Sequence, residues 1–214
     1  MRSSLPRALT VAVATLACAL CLSAQKHTAK KPAAPAKLGP GTYAVFVTGK
    51  GSFTAQLYPS LAPKAVANII ALAEGKQPYK DPLMGRLSMS PFYDNLLFFR
   101  TISGYMIQTG DLLNDGTGSL GYTLPFEKNN LKFDRPGRMA LAQVQGDPSS
   151  RGSQVFFTLA PVPQLNSQGF LIIGQIVRGL NVAKAISEGP RKGGRSDMPA
   201  YPVILHTVKI NLVR

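Results

Sequence analysis

The chain has 214 residues, with 24 lysines and arginines against 10 carboxylates and a net charge of +14. That length suits one domain with tails rather than two domains. The basic residues are spread, with no basic helix and no aromatic–basic platform. The charge therefore reads as a solvated surface, and no nucleic-acid partner is expected. The first 24 residues carry arginines at positions 2 and 7, an apolar stretch over 8–22 and small residues after it. This pattern predicts a secretory signal peptide, cut after Ala24, and hence a periplasmic or secreted protein. The apolar stretch is shorter than the roughly 20 residues a spanning helix needs, so no transmembrane segment is expected after signal removal. The alternative is a lipoprotein acylated at Cys18. Cys18 and Cys21 are the only cysteines, so the mature chain must be held by its core rather than by disulfides. Residues 25–40 are Lys, Ala and Pro without apolar periodicity and read as a disordered spacer, leaving 41–214 as the domain.

The domain opens with two predicted strands, 42–48 and 52–58, joined by Gly49, Lys50 and Gly51. A helix follows with Pro63 in its first turn, Val66, Ile69, Ile70 and Ala73 on one face and Gly75 just beyond its end. Residues 76–92 are expected to be irregular. Strands are predicted at 96–102 and 106–110, then a long loop over 112–137, then strands at 138–143, 154–159 and 170–177. A second helix places Leu180, Val182, Ala185 and Ile186 inward and stops at Gly189 and Pro190. A last strand ends the chain. Many short strands with two single helices predict a mainly β protein, an antiparallel barrel or sandwich with helices over its open ends.

Several chemistries lack their parts. His27 and His206 have no partners at metal-ligand spacing, so neither a metal nor a cofactor is expected. There is no Gly-x-Ser-x-Gly elbow for a nucleophile and no close carboxylate pair. Residues 116–121, GTGSLG, spell a dinucleotide fingerprint, but Pro125 interrupts the helix that such a site needs.

What stands out is Arg100, inside the apolar run LLFFRTISGYMIQTGD over residues 96–111. A buried unpaired charge is costly, so this side chain is paired, snorkelling or engaged in something specific. If 96–102 and 106–110 form a hairpin, a two-residue loop sets Arg100 opposite Ile107. A three-residue loop over 103–105 sets it opposite Gln108, with Met106 opposite Ile102. The second register pairs polar with polar and is preferred. It gathers a guanidinium, an amide and a thioether on one face, with Tyr105 at the rim. The alternative is an edge arginine whose stem packs while its head reaches water.

The stretch FFRTISGYMIQTGD resembles the arginine-bearing segment of the cyclophilin-type peptidyl-prolyl cis-trans isomerases. GSQVFFTLAP, residues 152–161, resembles that family's Gly-Ser-Gln segment. APKAVANIIALAEG resembles its first helix, and IIGQIVRGLNVAKAIS the stretch leading through its second. Order and spacing hold over about residues 41–213. The resemblance implies a closed eight-stranded antiparallel β-barrel capped by two α-helices, and isomerisation of X–Pro bonds without a cofactor. It implies that Arg100 is catalytic and that Gln108 holds it. Tyr105, Met106, Phe156 and Leu165 would receive the proline ring, and Gln154 would meet the peptide backbone. Gly116, Ala140 and Phe170 complete the implied substrate site. Leu141 stands where the family has an asparagine, Gln164 where some members have tryptophan, and Phe170 near a usual histidine. Residues 143–151 exceed the usual loop.

The expected partners are proline-containing, unfolded or partly folded polypeptides, and a monomer is expected because no heptad pattern is present. A non-catalytic proline-peptide-binding or chaperone module is the alternative from another class; Leu141 and Gln164 favour it.

Overall fold

Alternating β-branched and aromatic residues around two glycines build the first hairpin. In the computed structural model, which describes residues 37–143, 150–194 and 197–214, β1 (Gly41–Thr48) and β2 (Gly51–Leu57) pair antiparallel. The expected signal peptide, the Cys18 alternative, the spacer up to residue 36 and residues 144–149 of the 143–151 loop lie outside the described residues. Thr48 stands opposite Gly51, so the turn is the two residues Gly49 and Lys50 rather than three. The Thr48 hydroxyl closes it early: it donates to the Gly51 carbonyl at 2.7 Å and accepts from the Lys50 amide at 3.1 Å.

Helix α1 (Pro63–Ala73) begins on the expected proline and buries Val66, Ile69, Leu72 and Ala73. Its N-cap residue, Ala62, offers no side-chain acceptor. The first amides are satisfied from afar, by Glu127, whose two oxygens accept from Lys64 N at 3.0 Å and Ala65 N at 2.8 Å.

Within residues 76–92, expected to be irregular, a small separate sheet forms from β3 (Tyr79–Asp81) and β4 (Arg86–Ser88). Its three residue pairs are too few to print an alternating pattern. One side chain nucleates its turn: the Asp81 carboxylate accepts from the amides of Leu83 at 2.8 Å and Met84 at 3.1 Å.

The remaining strands are β5 (Leu96–Leu97), β6 (Arg100–Ile102), β7 (Met106–Thr109), β8 (Arg138–Gln143), β9 (Ser150–Thr158), β10 (Ile172–Arg178) and β11 (Ile204–Val213). Helix α2 (Leu180–Ile186) lies between the last two and buries Ala183 and Ile186; Leu180 and Val182 are only partly covered and Ala185 is half-buried. The large sheet runs β5-β11-β1-β2-β10-β8-β9-β7-β6, antiparallel throughout. Its two outer members, β5 and β6, are consecutive in the chain and separated only by Phe98 and Phe99. Counting 96–102 as one strand gives the expected eight, and the sheet comes round on itself through that strand. One half pairs with β11 and the other with β7.

The period of two along a strand then sorts side chains between the barrel interior and its outer surface. Phe46, Phe53, Phe98, Ile107, Met139, Leu141, Val155 and Phe157 share the main core. Phe46 and Phe53 stack at 4.8 Å, and Phe157 meets both edge-on at 5.0 and 5.1 Å. The alternate residues of β7, β8 and β9 point the other way: Met106, Ala140 and Phe156 join Phe133, Val162, Leu165 and Ile172 in a second, smaller apolar cluster. The candidate site is built on that outer cluster.

Candidate functional site

Arg100 reaches this face because of the β6–β7 hairpin. The loop has three residues, with Tyr105 N donating to Ile102 O at 3.0 Å and Gly104 at φ 70°, a left-handed conformation suited to glycine. Arg100 therefore pairs with Gln108, Thr101 with Ile107 and Ile102 with Met106. Of the two registers open to the sequence, the polar-on-polar one is formed.

A cavity of about 390 Å³ lies beside the guanidinium. Met106, Phe156 and Leu165 supply an apolar floor and are all nearly fully buried. Phe156 is braced from two sides, stacked on Phe133 at 6.0 Å and edge-on to Phe170 at 5.1 Å. Tyr105 and Phe170 form walls, and Gly116 and Gln154 close the polar end. Leu165 is carried there by a 3-10 turn, Pro163–Ser167, whose Asn166 side chain accepts from Phe133 N at 2.9 Å. Nine of the ten sequence-predicted site residues thus line one cavity.

The tenth, Ala140, does not reach it. It is fully buried behind Phe156, its partner across β8 and β9. Ala142, two residues further along the same face, lines the cavity in its place, together with Gln143 and Gln168. Of the three departures from the family pattern, Phe170 lines the cavity, and Leu141 and Gln164 lie off it. The Leu141 side chain fills the barrel interior while its amide donates to Leu171 O at 3.1 Å, and Gln164 is exposed on the 3-10 turn.

The polar side is a chain of hydrogen bonds whose direction is fixed at one end. The Gln154 amide nitrogen donates to the carbonyls of Gly116 and Gly118, each at 3.2 Å. A carbonyl only accepts, so Gln154 must turn its own oxygen toward Gln108, whose nitrogen donates to it at 3.0 Å. Gln108 is left presenting an oxygen to Arg100, and the Nη1 atom donates to it at 3.4 Å. The guanidinium is held more firmly on its other edge: Nε donates to Asp197 Oδ2 at 3.0 Å. Nη2 has no protein partner among the described residues.

The loop that presents those two carbonyls is held in turn by Asp111. This buried carboxylate accepts from the amides of Leu113 at 2.9 Å, Gly116 at 2.7 Å, and Asp115 and Gly118 at 3.3 Å. The approach leaves no room at position 118: a Cβ there would sit 1.7 Å from Asp111 Oδ1. The GTGSLG stretch is therefore a loop wrapped on a carboxylate. At its rim Asp115 is held below the ordinary carboxylate range, first by the Thr117 hydroxyl and then by the Thr117 amide.

Two residues of this network escaped the sequence. Asp111 sits in the quoted run with no local sign of its role. Asp197 meets Arg100 across 97 residues of chain, and no spacing rule connects them. Ala142 carried a usable signal, since it shares a strand face with Ala140.

An arginine beside an apolar cleft on the outer wall of an antiparallel barrel is the arrangement that the family resemblance implied. Comparison with known proteins agrees. Residues 43–210 match the family model for cyclophilin type peptidyl-prolyl cis-trans isomerases. The chain is 36% identical over 171 residues to peptidyl-prolyl cis-trans isomerase B of Streptomyces anulatus, covering 78% of this chain and 95% of that protein. It is 35% identical over 167 residues to peptidyl-prolyl cis-trans isomerase A of Mycobacterium tuberculosis, covering 77% and 89%. Among solved structures, a Cryptosporidium parvum cyclophilin crystallised in the presence of the dipeptide Ala-Pro superposes with a TM-score of 0.65 at 28% identity, covering 79% of this chain and 98% of that one. The chain belongs to the cyclophilin-type peptidyl-prolyl cis-trans isomerase family, and it is an enzyme of that class.

Proposed function

We propose that this isomerase turns X–Pro bonds in exported, unfolded or partly folded polypeptides, with Arg100 stabilising the half-rotated bond. Rotation is slow because amide resonance sets a barrier of about 18–20 kcal/mol. At the top of that barrier the resonance is gone, and the prolyl nitrogen is pyramidal with a basic lone pair. A cationic donor beside it favours the twisted state over both planar ones, which is what catalysis requires. No nucleophile, base or metal enters.

The observation that carries this reading is the guanidinium itself. It is held at Nε and Nη1, leaves Nη2 to the cleft, and stands over a floor of Met106, Phe156 and Leu165 suited to a pyrrolidine ring. Arginine fits because it stays charged and presents its donors in a fixed plane. Gln154 and the loop at Gly116 sit where a peptide backbone would run, and the Ala-Pro dipeptide used with the Cryptosporidium relative fits a cleft of this chemistry. Placement outside the cytoplasm rests on the signal-like first 24 residues, which lie outside the described ones.

A protease-coupled assay on an Ala-Pro peptide, comparing the parent with Arg100→Ala, is the test. Loss of one preorganised donor is expected to lower kcat/KM by roughly 10²–10³-fold. Equal turnover in the two proteins would remove Arg100 from the mechanism. Cell fractionation with an antibody against the domain checks export, and recovery wholly in the cytoplasm would refute it.

A further inference from the structure

The hydrogen bond from Gln108 is not enough to aim Arg100. At 3.4 Å it lies at the long edge of the range, and it fixes only one nitrogen of a side chain with many rotamers. The second support comes from outside the barrel ladder. We infer that Asp197 is a positioning residue for the isomerase reaction, clamping the Nε edge of Arg100 so that the Nη edge faces the cleft. The inference rests on the reading of Arg100 given above.

Asp197 is itself fastened at the free edge of β6. β7 occupies one edge of that strand, and the Thr101 amide, pointing the other way, donates to Asp197 O at 2.9 Å. Asp197 thus meets two successive residues, Arg100 through its side chain and Thr101 through its backbone. The neighbouring backbone is anchored as well. Lys192 N donates to Met198 O at 2.8 Å, Ala200 N to Pro190 O at 2.9 Å, and Arg191 bridges to Pro199. The Arg191 side chain then ties Thr101 Oγ1 to the Ser187 carbonyl at the end of α2. A flexible surface carboxylate would have no such mounting.

Geometry argues for orientation rather than stability as the purpose. The two side chains remain 40% and 26% exposed, so water competes for the pair and its net contribution to folding is small. A 3.0 Å charge-assisted bond to Nε, together with the Gln108 contact, instead defines the plane of the guanidinium. Without it the head group is free to swing toward solvent, away from the apolar floor.

The test compares Asp197→Asn, Asp197→Ala and Asp197→Glu with the parent in the full chain. Asp197→Ala is expected to lower kcat by about 10- to 100-fold, the usual cost of a group displaced by an ångström or so. KM and melting temperature should stay near the parent's, Asp197→Asn should fall between the two, and Asp197→Glu should recover part of the loss. In the Arg100→Ala background the Asp197→Ala change should cost nothing further. The Arg100 Nε–H resonance, assigned by its disappearance in Arg100→Ala, reports the clamp independently of turnover and should shift and exchange faster in Asp197→Ala. If Arg100→Ala turns over like the parent, the reading of Arg100 falls and this one with it. If Arg100→Ala is crippled while Asp197→Ala matches the parent, or if the two losses add, this inference alone is overturned. An Nε–H signal unchanged in Asp197→Ala overturns it as well.

Discussion

Gln154 shows how much a single side chain can decide in this site. Its amide faces two carbonyls on one side and Gln108 on the other, so its orientation sets the direction of every bond out to Arg100. It is 1% exposed, which makes the arrangement sensitive to chemistry rather than to shape. Gln154→Glu keeps the volume but turns an oxygen on Gly116 O and Gly118 O. We expect a loss of about 1–3 kcal/mol in urea unfolding, the cost of buried groups left without donors, and a fall in kcat. Unchanged stability would mean that the carbonyls do not depend on Gln154. The identities of these residues were legible in the sequence because the family pattern keeps Arg, Met and Gln at fixed spacing within one hairpin. Asp111 and Asp197 were not. Each acts through contacts made by loops, where no periodicity relates the residue to its target.

At the scale of elements, α1 and the β6–β7 hairpin contrast in what the sequence discloses. The hairpin register followed from two local facts, a glycine in the loop and polar-on-polar pairing of Arg100 with Gln108. The body of α1 followed from apolar spacing and Pro63. Its N-terminus did not, because the acceptor for the first amides is Glu127, more than sixty residues downstream. The small β3–β4 sheet was missed for a related reason: its turn depends on one Asp81 carboxylate and its strands are three residues each. Glu127→Ala removes two amide acceptors at once and should cost about 0.5–2 kcal/mol, the usual range for a lost helix cap. Glu127→Gln, which keeps one oxygen, should lose less. Chemical denaturation of both variants settles the order, and equal stability of Glu127→Ala and the parent would show that water serves those amides as well.

For the whole molecule, the imbalance of 24 basic residues against 10 acidic ones makes each carboxylate matter. Asp134 is held far below the usual carboxylate range, first by its hydrogen bonds with Arg135 and then by Arg138, a residue whose side chain is only 8% exposed. A carboxylate depressed in the folded state contributes stability above its unfolded value, about 4, and loses that contribution as pH falls toward the folded one. The parent should therefore melt above Asp134→Asn at pH 7, and the gap should close progressively below about pH 4. A gap that persists unchanged at pH 2 would assign the difference to shape instead of charge. The count and shortness of the strands left a barrel or a sandwich open, and the family resemblance supplied the closed barrel. The way it comes round was not legible, since a run split by Phe98 and Phe99 looks like one strand in sequence and serves two neighbours in space.

That split strand has a mechanical side. β1 and β11 share eight residue pairs, whereas the joint where the sheet meets itself has only two pairs on the β11 side and three on the β7 side. The guanidinium is mounted on the thinnest seam of the wall. The cleft touches only the β6–β7 side of that joint, so a peptide seated there would brace the three-pair side, and slower amide exchange around 100–109 would gauge how often the cleft is filled.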